Sequence, residues 1–82
     1  MANISYPTQG TCSYQIDVET NDAGEIVNVT FYGGCHGNLQ GISALVKGMK
    51  ITDAIAKLEG IRCGYKPTSC PDQLARALKA LL

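Results

Sequence analysis

Two stretches decide the fold: Cys12-Ser13-Tyr14-Gln15-Ile16-Asp17-Val18-Glu19-Thr20 and Glu25-Ile26-Val27-Asn28-Val29-Thr30-Phe31-Tyr32. In the first, Tyr14, Ile16 and Val18 alternate with Gln15, Asp17 and Glu19, the pattern of a strand with one face buried. The second is dense in β-branched and aromatic residues, with Val27, Val29 and Phe31 assigned to one face. Asn21-Asp22-Ala23-Gly24 between them is turn chemistry, because Asn, Asp and Gly accept positive φ. The two therefore pair as an antiparallel hairpin. Working outward, residues 1 to 11 carry no strong period and read as an extended lead-in, leaving room for an N-terminal strand. Beyond Gly33-Gly34 the period changes from two to about 3.6. Leu39, Ile42, Leu45 and Val46 make a helical stripe, with Asn38 as candidate cap and Gly48 as stop. Thr52 to Leu58 fits a second helix capped by Thr52 and ended by Gly60. Pro71 to Leu81 fits a third, with Leu74, Ala77, Leu78 and Leu81 facing inward. The expected architecture is a small α+β domain, with about three helices on one face of an antiparallel sheet.

Eighty-two residues fit one domain, assigned to residues 1–82, with a thin core. Seven basic residues balance seven acidic ones with no block of like charge. That excludes the electrostatic footprint of nucleic-acid or anionic-membrane binding. No apolar run approaches a membrane span, and Met-Ala-Asn-Ile-Ser-Tyr lacks the regions of a signal peptide, so a cytoplasmic location is expected.

Four cysteines in so short a chain are the chemical anomaly. In a reducing compartment such a set reads as metal-binding or redox-active more readily than as a disulfide framework. Cys35 and Cys70 each stand where a helix begins, and a helix N-terminus favours the thiolate that binds metal or attacks a disulfide. Cys63 lies in a loop before Cys70, and Cys12 opens the first strand. If that end of the hairpin lies beside the helix starts, Cys12, Cys35, Cys63 and Cys70 converge into a site for zinc or iron. No two of them have the roughly two-to-four-residue spacing of a zinc knuckle, so spacing adds little. Small buried apolar side chains are the bland alternative for the same thiols. A dithiol formed by Cys63 and Cys70 is the redox alternative.

The loop Gly33-Gly34-Cys35-His36-Gly37-Asn38 ahead of a helix invites a nucleotide site through Gly33, Gly34, Gly37 and Asn38. It lacks the Lys-Ser/Thr ending of a Walker loop, and its glycines also suit a tight strand-to-helix turn. His36 reads as a cap on a backbone carbonyl more readily than as a ligand beside Cys35. Arg62, Lys66 and Lys47 read as solvated surface.

Thr68-Ser69-Cys70-Pro71-Asp72 resembles the motif that names the TSCPD domain family. Gly10-Thr11-Cys12-Ser13, Gly33 to Ile42 and Gly60-Ile61-Arg62-Cys63-Gly64 extend the resemblance over nearly the whole chain. It is to the small stand-alone members, and the same domain resembles the C-terminal region of adenosylcobalamin-dependent ribonucleotide reductases. The resemblance implies an accessory role in deoxyribonucleotide synthesis beside a ribonucleotide reductase subunit. It does not imply catalysis by this chain, which has no room for the radical-bearing barrel. A more distant likeness is to iron–sulfur cluster scaffolds of the IscU type. It implies that Cys12, Cys35 and Cys70 are the metal- or cluster-binding thiols, with Cys63 supplying a fourth. The chain departs from those scaffolds by carrying Tyr14 where they place an Asp and Ser69 where they place a His. A thin core and an apolar last helix are compatible with a homodimer.

Overall fold

A computed structural model describes residues 2–34 and 36–82 of the chain. Strand β1 (Ala2–Pro7), strand β2 (Ser13–Thr20) and strand β3 (Ile26–Gly33) come first, followed by helices α1 (His36–Val46), α2 (Ile51–Leu58) and α3 (Cys70–Lys79). The sheet is antiparallel in the order β1-β2-β3. The expected α+β architecture is present, and the lead-in is a full edge strand. Ile4 and Tyr6 are its half-buried residues, and Pro7 closes it where a missing ladder donor costs least.

Asn21 makes the hairpin turn. Its Oδ1 accepts from the N–H groups of Ala23 and Glu25, each at 3.0 Å. Two irregularities in the β2–β3 register then change which side chains face inward. At one end Ser13 pairs with Gly33 while Gln15 pairs with Tyr32, so Tyr14 is an extra residue on β2. The bulge reverses the alternation there: Ser13 turns inward and is buried, whereas Tyr14, expected in the core, is 66% exposed. At the other end Glu19 pairs with Asn28 and Thr20 with Ile26, leaving Val27 as the extra residue. Ile26 therefore occupies the core place expected for Val27.

Ile16, Val18, Ile26 and Val29 from the sheet meet Val46, Ile51, Ala54, Ile55, Leu74, Ala77 and Leu78 from the helices. The opposite face of the sheet carries Asn3, Ser5, Asp17, Glu19, Asn28 and Thr30, a polar surface. Packing connects α2 with α3, α3 with β2, and α1 with β3. Ile51 N–H donates to the Gly24 carbonyl and Ile26 N–H to Met49, tying the start of α2 to the hairpin turn.

The helix starts differ from expectation. Helix α1 begins at His36, so Asn38 lies inside it and does not cap it. Helix α2 begins at Ile51 after Lys50, which offers no side-chain cap, and Thr52 lies within the first turn. Leu45 was assigned to the buried stripe of α1 but is 78% exposed; only Leu39 and Val46 of that helix are fully buried.

Candidate functional site

The start of α3 is built by Thr68-Ser69-Cys70-Pro71-Asp72 acting as one unit. Ser69 is the N-cap, with extended backbone and an Oγ that accepts from the Asp72 N–H at 3.2 Å. The same hydroxyl donates to the Ile61 carbonyl at 2.6 Å, which ties the preceding loop to the helix. Pro71, in the first turn, occupies a place where its missing N–H costs nothing. Asp72 is buried and fully engaged: Oδ1 accepts from the Gly60 N–H at 2.7 Å, and Oδ2 accepts from the Thr68 hydroxyl and lies 3.2 Å from Arg76 Nε. Burial pushes the Asp72 carboxyl up, but the Thr68 hydroxyl, the Gly60 N–H and Arg76 together hold it below the usual carboxylate range. Gln73 completes the lattice, donating to Thr68 Oγ1 at 3.0 Å and accepting from the Gln9 N–H at 3.2 Å. Four of the five motif residues thus shape and cap the helix start. The thiol between them is the group left for chemistry.

Cys70 is 8% exposed at the first position of α3. Its Sγ lies 3.2 Å from the Ser13 Oγ, the side chain that the β2 bulge turns inward. Burial pushes this thiol up. Hydrogen bonds from the Ser13 hydroxyl, the Ser13 backbone N–H, the Thr11 hydroxyl and the Cys12 thiol outweigh burial and hold it below its ordinary value. The positive end of α3 favours the same ionised form. Gly34 protects this arrangement. At φ +79° it passes so close that an added Cβ would sit 3.2 Å from the Ser13 nitrogen and 3.0 Å from Leu39 Cδ1.

Cys70 opens on a groove of about 450 Å³, which Cys12 and Cys63 also line. Gly37 and Asn38 at the start of α1 form its far wall, and Ile42 and Leu45 make it largely apolar. Cys12 and Cys63 are exposed and Cys70 is buried; all three are free thiols. Among the described residues no three His, Cys, Asp or Glu side chains are gathered closely enough to hold one ion. Cys35, the fourth expected ligand, lies outside the described residues. Three of the expected thiols therefore share one groove without forming a closed ligand set.

The glycine loop divides. Gly37 and Asn38 line the thiol groove, whereas Gly33 and Gly34 line a separate hollow of about 310 Å³ with His36 and Gln40. His36 is hydrogen-bonded through Nε2 to Gln40 Nε2 at 2.9 Å, so its partner is a side chain one turn along the helix and not the expected backbone carbonyl. Arg62, Lys66 and Lys47 are exposed, as expected for solvated surface. Sequence reasoning missed Thr11, Ser13, Asp72 and Leu45. Hydroxyls on both sides of Cys12 were the signal for the first two, but nothing in the sequence aimed them at Cys70.

Fold and site together define a small α+β domain that presents a thiol, held toward its ionised form, at the floor of an apolar groove. The family model for the TSCPD domain matches residues 1–82, and the chain belongs to that family. No curated protein and no solved structure matches it. Among the described residues no helix is long and apolar enough to cross a membrane.

Proposed function

We propose that this chain is an accessory domain whose thiol groove binds a thiophilic metal ion, zinc or iron, through Cys12, Cys63 and Cys70, with Cys35 as the fourth ligand. The observation that carries this reading is that Cys12, far away in sequence, lines one groove with Cys63 and Cys70. Cys70 is the anchor, because its hydrogen bonds and helix position favour the thiolate that a metal needs. Cys63, exposed on the loop between α2 and α3, would be drawn toward Cys70 on binding. The hydroxyls of Thr11 and Ser13 orient the anchoring sulfur, as outer partners do around metal ligands. The partner we assign is a ribonucleotide reductase subunit, a reading supported by the resemblance of the motifs to the C-terminal region of the cobalamin-dependent enzymes.

The test is elemental analysis of protein purified without chelator, beside the variant carrying Cys35→Ser and Cys70→Ser. About one zinc or iron per chain, lost in the variant, supports the reading. A metal-free protein with four freely titrating thiols overturns it.

A further inference from the structure

Among the described residues that line the groove with Cys70 is a second thiol. Cys12 shares that groove although it lies far away in sequence, ahead of β2, while Cys70 opens α3. The two differ in access: Cys12 is exposed at the rim of the groove and Cys70 is buried at its floor. Cys63 lines the same groove, but its loop is tied back on itself by its N–H to the Thr68 carbonyl and by its own carbonyl to the Lys66 N–H. Among the described residues no charged side chain lines the groove, and Ile42 and Leu45 give it apolar walls. These are the requirements of a two-thiol reductant: an exposed sulfur that engages a substrate first, and a buried neighbour in the same groove that follows.

We propose that Cys12 and Cys70 form a dithiol couple that reduces small uncharged disulfides entering the groove and closes a Cys12–Cys70 disulfide in doing so. The Cys12 sulfur, its proton lost to solvent, attacks one sulfur of the substrate. The substrate S–S bond breaks, the first thiolate leaves and takes up a proton, and a mixed disulfide remains on Cys12. The Cys70 thiolate then attacks the Cys12 sulfur. The mixed S–S bond breaks, and the second substrate thiolate leaves and takes up a proton. The two cysteines have lost two electrons, and the substrate disulfide has become two thiols. The Ser13 hydroxyl, 3.2 Å from Cys70 Sγ, holds that sulfur in place for the second step. The reaction belongs to the metal-free chain and does not depend on the metal-binding reading.

The experiment incubates the full chain, reduced and freed of metal with a chelator, with bis(2-hydroxyethyl) disulfide. Remaining thiols are alkylated and the peptides mapped by mass spectrometry. Loss of two alkylatable thiols per chain, recovered as a Cys12–Cys70 linked peptide, is expected. In Cys63→Ser the link persists. In Cys70→Ser it is replaced by a hydroxyethyl adduct that stays on Cys12, because nothing resolves it. A linked peptide that joins other cysteines, an unresolved adduct on Cys12 in the unaltered chain, or loss of the link in Cys63→Ser overturns the proposal. Zinc uptake by the reduced chain is measured separately, so either reading can fail while the other stands.

Discussion

The sharpest consequence of the site concerns Ser13→Ala. The substitution removes a buried hydroxyl 3.2 Å from Cys70 Sγ and leaves the backbone, including the Ser13 N–H, in place. A hydrogen bond to a charged acceptor contributes roughly 1.5 to 3 kcal/mol, and about 1.4 kcal/mol is a factor of ten in an equilibrium. Taking the lower figure, the ionised fraction of Cys70 near neutral pH falls about tenfold. The remaining thiolate is more basic and so more nucleophilic, which with a Brønsted slope of about 0.4 to 0.5 returns roughly threefold. The net slowing of Cys70 toward a small disulfide at neutral pH is then about three- to fourfold. The assay is site-resolved: brief exposure to the reagent, quenching, isotopic labelling of unreacted thiols and quantification of the Cys70 peptide across a pH series. At pH high enough to ionise both proteins the order inverts, and the variant reacts faster. Equal slowing at every pH would mean that the hydroxyl governs access and not ionisation. An unchanged rate at neutral pH would refute the role assigned to Ser13.

Other expectations follow from the same geometry. Asp72→Asn leaves the Thr68 hydroxyl, the Gly60 N–H and Arg76 without their shared anion and should cost about 2 to 3 kcal/mol, read as a lower Tm in thermal unfolding. The folded-state pKa of Asp72 is depressed, so its contribution is fully present above the unfolded value near 3.8 and is lost as pH falls through the lower folded value; the variant's acid-unfolding curve should be flatter in that window. Gly34→Ala places a Cβ against Ser13 and Leu39 at positive φ and should cost about 1 to 3 kcal/mol, whereas Gly37→Ala, in α1 with open space around it, should stabilise by about 0.5 to 1 kcal/mol in denaturant melts. Closing the Cys12–Cys70 disulfide, which spans a loop of about 60 residues, should stabilise the chain by up to about 4 kcal/mol, seen as a Tm difference between oxidised and reduced forms.

The hairpin was legible because Ile16, Val18 and Val29 alternate with polar residues, and α3 because Leu74, Ala77 and Leu78 keep helical spacing. Where the reading failed, a local rule was overridden by pairing. Tyr14 and Val27 look like core residues by parity, but each is the unpaired residue of a bulge, and register is not written in either strand alone. Strand β1 was legible only as an extended lead-in with room for a strand, because an edge strand that ends in proline buries only parts of Ile4 and Tyr6. Helix α1 showed a stripe wider than the sheet covers, so Leu45 projects into the groove. For the site, the three described thiols were readable from residue type and position at element ends. The hydroxyls that lower the Cys70 pKa were not, since Ser13 reaches it across 57 positions of chain through a change of strand parity. Of the two readings open for the glycines, the tight turn has a visible basis: a Cβ at Gly33 or Gly34 would meet Tyr14 or Ser13.

The single inserted residue at Tyr14 has an evolutionary corollary. The chemistry of Cys70 depends on how many residues precede Ile16 in the strand, and much less on which one stands at position 14, because the bulge is what turns Ser13 inward. Substitution there is free to drift so long as the side chain tolerates solvent. Loss of one residue between Ser13 and Ile16 would leave every functional group in the chain and still swing the hydroxyl to the wrong side of the sheet. Selection on this stretch should therefore act on length before identity, a constraint that residue-by-residue comparison of relatives would score as variability.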